Sequence, residues 1–298
     1  MRTGTWTREQ INLRDPYVLF CQGKYYLYGT RSDTAWTEAD GFDCYVSEDL
    51  ASFEGPIEIF HRPDGFFADR NYWAPECVAY DGKYYLVTTF GAQDRPLGIY
   101  VLQAEQPEGP FEPYSGLLTP QNWNCIDGTL FVEKDVPWLI YSRSQHGAKN
   151  GDFVLQQLSS DLKNPVGEPV TLFQAKDAPW AKPFPFSKEE FGIDEMYFSD
   201  GPSLLRMEDR KLMMIFSSWS RNGYAVGTAV SDGDVRGPWK LLEDPLFPEN
   251  GGHGMFFRDR NGEILFTLHY PNDKGKEHPV FYRVAYEDGK LLLGDQVL

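Results

Sequence analysis

One pattern of polar and apolar positions recurs five times along the chain: a charged or polar residue, a small residue or Pro, a short apolar strand, a tight turn, and a second apolar strand. The segments are RDPYVLFCQGKYYLYGT from Arg14, WAPECVAYDGKYYLVTTF from Trp73, DGTLFVEKDVPWLIYS from Asp127, DGPSLLRMEDRKLMMIFSS from Asp200 and HGMFFRDRNGEILFTLHY from His253. Turns such as Gln22-Gly23, Asp81-Gly82 and Asn261-Gly262 carry the Gly and Asx residues that hairpins need for positive φ. Further short strand patterns lie between the hairpins, as in DCYVSEDL from Asp43 and YAVGTAVSD from Tyr224. Gly-Pro or Asn-Pro turns at Gly55, Gly109, Asn164 and Gly237 punctuate the chain at similar phase. No long window keeps the i, i+3, i+4, i+7 spacing of an amphipathic helix.

This reading gives four strands and about sixty residues per unit, so five units account for all 298 residues. Repeated four-stranded antiparallel sheets around an axis describe an all-β, five-bladed β-propeller, expected as a single domain over residues 1–298. The first strand of each blade then lines a central channel, and the leading residues Asp15, Asp127, Asp200 and His253 converge at one mouth.

Composition supports an ordered globular chain, with 41% hydrophobic and 15% aromatic residues. The 44 acidic against 28 basic side chains leave a formal charge of −16, which argues against a nucleic-acid partner. No apolar run reaches the length of a membrane helix, and the N-terminal stretch lacks the apolar core of a secretory signal. The expectation is a soluble, cytoplasmic protein without a membrane partner; no oligomer signal is readable. Cys21, Cys44, Cys77 and Cys125 are widely scattered, without metal-site spacing, and are expected to be free core thiols.

Taken singly, an Asp-Pro or Asp-Gly is a turn dipeptide. Three carboxylates leading equivalent inner strands are different, because like charges in one pocket raise a carboxyl pKa and so provide a general acid beside an ionised base. Glycoside hydrolysis is the reaction that uses such a set.

The residues resemble glycoside hydrolase family 43 through RDPYV at Arg14, YWAPE at Tyr72, CIDGTLFVEKDVPWLIYS at Cys125, SDGPSLL at Ser199 and GGHGMFF at Gly251, in that order. The resemblance implies Asp15 as general base, Asp127 as the residue that tunes and orients the acid, and Asp200 as the acid. The family usually has Glu at the last position, and Asp is one methylene, about 1.5 Å, shorter. Glu195 is the nearby alternative donor. The resemblance also implies inversion, which needs room for a water between base and sugar. It further suggests a calcium ion in the channel near His253, held mainly by water, although no cofactor is required. Trp73 and His253 are expected to touch the sugar, while Glu76, off the phase of the aspartates, is read as structural. Arg14 is expected to support Asp15, and Arg143, Trp219 and His269 to pack or face the surface.

The leading expectation is an inverting exo α-L-arabinofuranosidase acting on an oligosaccharide. β-Xylosidase is the alternative within the family, and a non-catalytic sugar-binding propeller is the alternative of another class.

Overall fold

The computed structural model describes residues 4–143 and 148–297. Five antiparallel sheets are each built in chain order from the axis outward. Blade 1 comprises Leu13–Cys21, Lys24–Arg31, Gly41–Ser47 and Ser52–His61; blade 2, Arg70–Tyr80, Lys83–Ala92, Arg95–Ala104 and Glu112–Pro113. Blade 3 comprises Cys125–Glu133, Val136–Arg143, Asp152–Leu158 and Pro165–Gln174; blade 4, Asp200–Arg206, Leu212–Ser220, Gly223–Ser231 and Lys240–Leu241. Blade 5 is Gly252–Arg258, Ile264–Tyr270, His278–Glu287 and Lys290–Gln296.

Two details differ from the sequence expectation. Blade 1 has five strands, because Gly4–Thr7 pairs with Ser52–His61 as an extra outer strand. Gly55-Pro56, expected as a turn, lies inside the outer strand Ser52–His61, where the pairing register shifts between Cys44 and Val46. Pro56 falls at that register shift and one residue past Gly55, the last to pair with Gly4–Thr7, so its missing N–H lies outside the ladder.

Apolar side chains of each blade face the next blade, so the core is divided into five interblade clusters. Tyr28, Phe42 and Phe60 meet Tyr72, Leu86 and Phe90 between blades 1 and 2. Val87 and Val101 meet Leu139 and Val154 between blades 2 and 3, and Ile140 and Phe153 meet Met214 and Phe216 between blades 3 and 4. Ile215 and Val226 meet Phe266 and Leu268 between blades 4 and 5. Leu13, Leu27 and Phe53 meet Met255, Phe257 and Phe281 between blades 5 and 1. Among the described residues no blade borrows a strand from the other end of the chain, so this last cluster shuts the ring. Polar ties assist it: Leu13 N–H donates to the Glu277 carbonyl at 3.1 Å, and Arg8 reaches the Val297 carbonyl. The three buried cysteines, Cys44, Cys77 and Cys125, lie in these clusters, and all four cysteines are free. Among the described residues no helix is long and apolar enough to cross a membrane.

Candidate active site

Every inner strand breaks register near its start, between Arg14 and Tyr17, Trp73 and Glu76, Ile126 and Thr129, Asp200 and Ser203, and Gly252 and Met255. At each break one residue takes a positive φ: Asp15 at 52°, Ala74 at 46°, Asp127 at 57°, Gly201 at 47° and His253 at 47°. Such bulges re-aim a side chain, and positive φ in a non-glycine residue is held only where its surroundings fix it. The next residue is always Pro or Gly: Pro16, Pro75, Gly128, Pro202 and Gly254. A Cβ on Gly128 would meet Ile99 at 2.7 Å, and one on Gly254 the Thr267 carbonyl oxygen at 2.4 Å.

This frame corrects the expected phase. Asp15, Asp127 and His253 are equivalent, but Asp200 stands one residue earlier, with Gly201 in the bulge. Aligning the five segments on their Pro or Gly would have shown it.

The residues paired opposite Arg14, Trp73, Ile126, Asp200 and Gly252 are Thr30, Thr89, Ser142, Ser217 and His269. Four of them accept the bulge N–H of the next blade around the ring. Ala74 donates to Thr30 Oγ1 at 2.8 Å, Asp127 to Thr89 Oγ1 at 3.0 Å, His253 to Ser217 Oγ at 2.8 Å and Asp15 to His269 Nδ1 at 3.2 Å. The step from blade 3 to blade 4 breaks the rule. Gly201 N–H goes to Asp127 Oδ2 at 3.1 Å, and the Ser142 hydroxyl is buried without a partner.

The carboxylates gather as expected. His253 Nδ1 lies 3.3 Å from Asp15 Oδ1 and 3.6 Å from Asp127 Oδ2. Asp15 Oδ2 accepts the Thr30 hydroxyl at 2.5 Å. Burial opposes ionisation of Asp15, but the charges of His253 and Arg14 outweigh it and hold its carboxyl well below the usual carboxylate range. Burial, followed by the charge and hydrogen bond of Asp200 and the charge of Asp15, pushes Asp127 well above that range. Asp15 is therefore ionised, while Asp127 keeps a proton that its hydrogen bond can pass to Asp200. One carboxyl biased toward ionisation beside another biased toward protonation is the pairing that acid–base cleavage of an acetal requires.

A cleft of about 480 Å³ opens over this cluster, within the usual range of small-molecule sites. Asp15, Asp127, Asp200, Trp73, His253 and Arg14 all line it. Trp73 is half-buried: its indole N–H donates to the Ala35 carbonyl at 2.5 Å, and its ring meets Trp36 edge-on at 5.3 Å. Trp36, 54% exposed, offers the more open face on this wall, and sequence reasoning missed it. The opposite wall is aromatic too. Phe184, Phe186 and Phe191 come from the connection between blades 3 and 4, where Ser187–Phe191 forms a short helix.

Several side expectations are settled by placement. Arg14 supports the site through Glu277 at 2.6 Å and Asn272 at 3.2 Å. Trp219 reaches the cleft, whereas Arg143 stacks on Trp123 and pairs with Asp152 outside it. His269, expected at the rim or in packing, is fully buried and holds the Asp15 backbone. Glu195 is exposed and does not line the cleft. Glu76, two residues past its bulge, is buried with Oε2 unpartnered, and burial pushes its carboxyl up to about 8.

Asp127, Asp200 and His253 can each aim one donor atom within 4.8 Å of the others. As a direct calcium cage this set fits poorly. Calcium takes six to eight oxygens, Asp127 Oδ2 and Asp200 Oδ2 already accept the Gly201 N–H and the Tyr224 hydroxyl, and a cation on the pair would expel the proton that Asp127 keeps.

A five-bladed propeller with three carboxyl groups gathered at its axis, beneath an aromatic cleft, has the makings of a glycan hydrolase. The chain belongs to the glycosyl hydrolases family 43, whose sequence profile it matches over residues 10–291. It is similar to the endo-arabinase of Bacteroides thetaiotaomicron VPI-5482, with 33% identity and a TM-score of 0.86 over 95% of this chain and 98% of that one. Arabinan endo-1,5-alpha-L-arabinosidase A of Aspergillus aculeatus is 23% identical over 95% of this chain and 87% of the relative. The match to extracellular endo-alpha-(1->5)-L-arabinanase 1 of Bacillus subtilis (strain 168), 27% identical, spans 54% of this chain and about half, 51%, of that relative.

Proposed function

We propose that this chain hydrolyses α-L-arabinofuranosyl linkages of arabinan-type oligosaccharides with inversion, removing terminal arabinose units. The observation that carries the reading is the gathering of Asp15, Asp127 and Asp200 around His253 at the floor of the cleft, in surroundings that lower the Asp15 carboxyl and raise that of Asp127. The single proton held by Asp127 passes through Asp200 to the glycosidic oxygen as the C–O bond breaks, Asp15 takes a proton from the water whose oxygen bonds the anomeric carbon, and exchange with solvent clears Asp15 and reloads the pair. The side groups in the cleft that could meet a negative sugar are engaged or few: Arg14 is paired with Glu277, leaving Lys274 at the lining. A neutral pentose suits three axial carboxyls better than a uronic acid. A calcium ion in the channel would be held by water, with His253 as its protein ligand, and would supply electrostatic support only.

Cleavage inside the chain is the second reading, favoured by the endo-acting names of the relatives and by aromatic side chains on both walls. Incubation with linear arabinan and with p-nitrophenyl arabinofuranoside and xyloside separates the readings. Arabinose alone from arabinan supports terminal attack, and a ladder of oligomers internal attack. Asp15→Asn and Asp200→Asn should each lower kcat by about 10²–10⁴-fold. Sugar binding without turnover on any of these substrates would mean a non-catalytic propeller.

A further inference from the structure

Tyr224 is the second residue of the third strand of blade 4, Gly223–Ser231, where a propeller side chain is ordinarily far from the axis. Its ring nevertheless reaches the acid: Oη donates to Asp200 Oδ2 at 2.7 Å. The approach depends on Gly252, since a Cβ there would lie 2.1 Å from the Tyr224 ring. The ring is buried and stacked on His269 at 5.8 Å and 18°, with Trp219 at 6.1 Å on its other contact. His269 in turn accepts the Asp15 N–H, so the support for acid and base is one continuous stack.

We propose that Tyr224 is the positioning residue of the acid, its hydroxyl fixing the short Asp200 carboxyl in the orientation from which the proton is delivered to the leaving oxygen. This rests on the glycosidase reading above. A Glu has an extra torsion with which to find the glycosidic oxygen; Asp does not, and misplacement near 1 Å is costly to catalysis. Tyr224 on one oxygen and Asp127 beside the carboxyl leave Asp200 a single arrangement. The phenol also acts during the reaction. As Asp200 passes its proton to the leaving oxygen, which takes the electron pair of the breaking C–O bond, the carboxyl becomes anionic. The Tyr224 hydrogen bond strengthens with that charge, and such differential stabilisation speeds the step. Burial, then the neighbouring Asp200, keeps the phenol protonated and hence a donor.

Tyr224→Phe keeps the ring and its stacking and removes only the O–H. Two substrates divide its effects, because a dinitrophenyl arabinofuranoside needs no proton to leave whereas an arabino-oligosaccharide does. The variant should lose roughly ten- to hundredfold in kcat/KM on the oligosaccharide and less than about threefold on the dinitrophenyl glycoside. The basic limb of the oligosaccharide profile should move to higher pH, since the anionic pair has lost a donor. The other groups facing the pair, Asp15, His253, Arg14 and His269, are unchanged. Equal losses on both substrates with an unmoved limb, or no loss, would overturn the proposal. Carbon-13 titration of the aspartate carboxyls gives a reading without turnover: the Asp127–Asp200 pair should titrate higher in Tyr224→Phe, and identical titrations sink the proposal. Wild-type protein inert on both glycosides would refute the glycosidase reading, while the titration still decides the role of Tyr224.

Discussion

The backbone N–H of Gly201 is bonded to the Oδ2 of Asp127 at 3.1 Å, in place of the blade-to-blade hydroxyl contact found at three of the other four steps in the ring. That exchange ties the strand carrying Asp200 directly to the carboxyl that shares its proton. It also leaves Ser142 with a buried hydroxyl and no partner.

Ser142→Ala should therefore stabilise the fold by about 1 kcal/mol, because it removes an unpaired buried polar group. Thr89→Val, at the corresponding position of blade 2, should destabilise by about 1–2 kcal/mol by orphaning the Asp127 N–H. Denaturant unfolding of the two variants checks the opposite signs; a loss of stability in Ser142→Ala would show that its hydroxyl is satisfied.

The pH profile follows from the two depressed and raised carboxyls. Asp15 stays ionised below the ordinary carboxylate range of about 4, so the acid limb of kcat/KM lies under that value. Asp127 is raised, so the pair loses its proton, and the enzyme its acid, as pH climbs above the ordinary range. Activity measured from pH 3 to 9 should fall on the alkaline side; an acid limb at pH 5 to 6 would contradict an ionised Asp15.

Glu76 links stability to pH. Its carboxyl is raised from 4.5 to about 8, so the folded state binds a proton more tightly than the unfolded one. Its contribution is complete below pH 4.5 and is lost as pH rises through about 8, by up to ~1.4 kcal/mol per unit. Glu76→Gln should flatten this slope in denaturant midpoints taken from pH 5 to 8. Parallel curves for variant and wild type would place the linkage elsewhere.

Chelation tests the cation. Because the carboxyls of Asp127 and Asp200 are engaged by hydrogen bonds and by the proton that Asp127 keeps, exhaustive removal of divalent ions should leave kcat within about threefold. A reversible loss of tenfold or more, restored by calcium, would give the His253 neighbourhood a catalytic cation.

Much of the molecule is legible in the sequence. Five hairpins with Gly and Asx turns give five blades, and alternation places the apolar residues of Leu86 or Phe216 in interblade clusters, because strand period and turn chemistry are local properties. The resemblance drew attention to Asp15, Asp127, Asp200 and His253 because each sits beside a Pro or Gly in a recurring motif. The fifth strand of blade 1 escaped notice, since Gly4–Thr7 is too short to carry a periodic signal and is defined only by its pairing with Ser52–His61.

The supporting residues belong to the other kind of information. Thr30, His269, Trp36 and Tyr224 have no motif, and each acts through a partner far along the chain or in another strand: His269 holds Asp15 across 254 residues, and Tyr224 reaches Asp200 across a blade. The sequence by itself determined the repeat and the identity of the three axial aspartates. Only closing the ring decided which carboxyl is ionised, which shares a proton and what holds each in place, because charge, burial and hydrogen bonding depend on distances between blades and not on spacing along the chain.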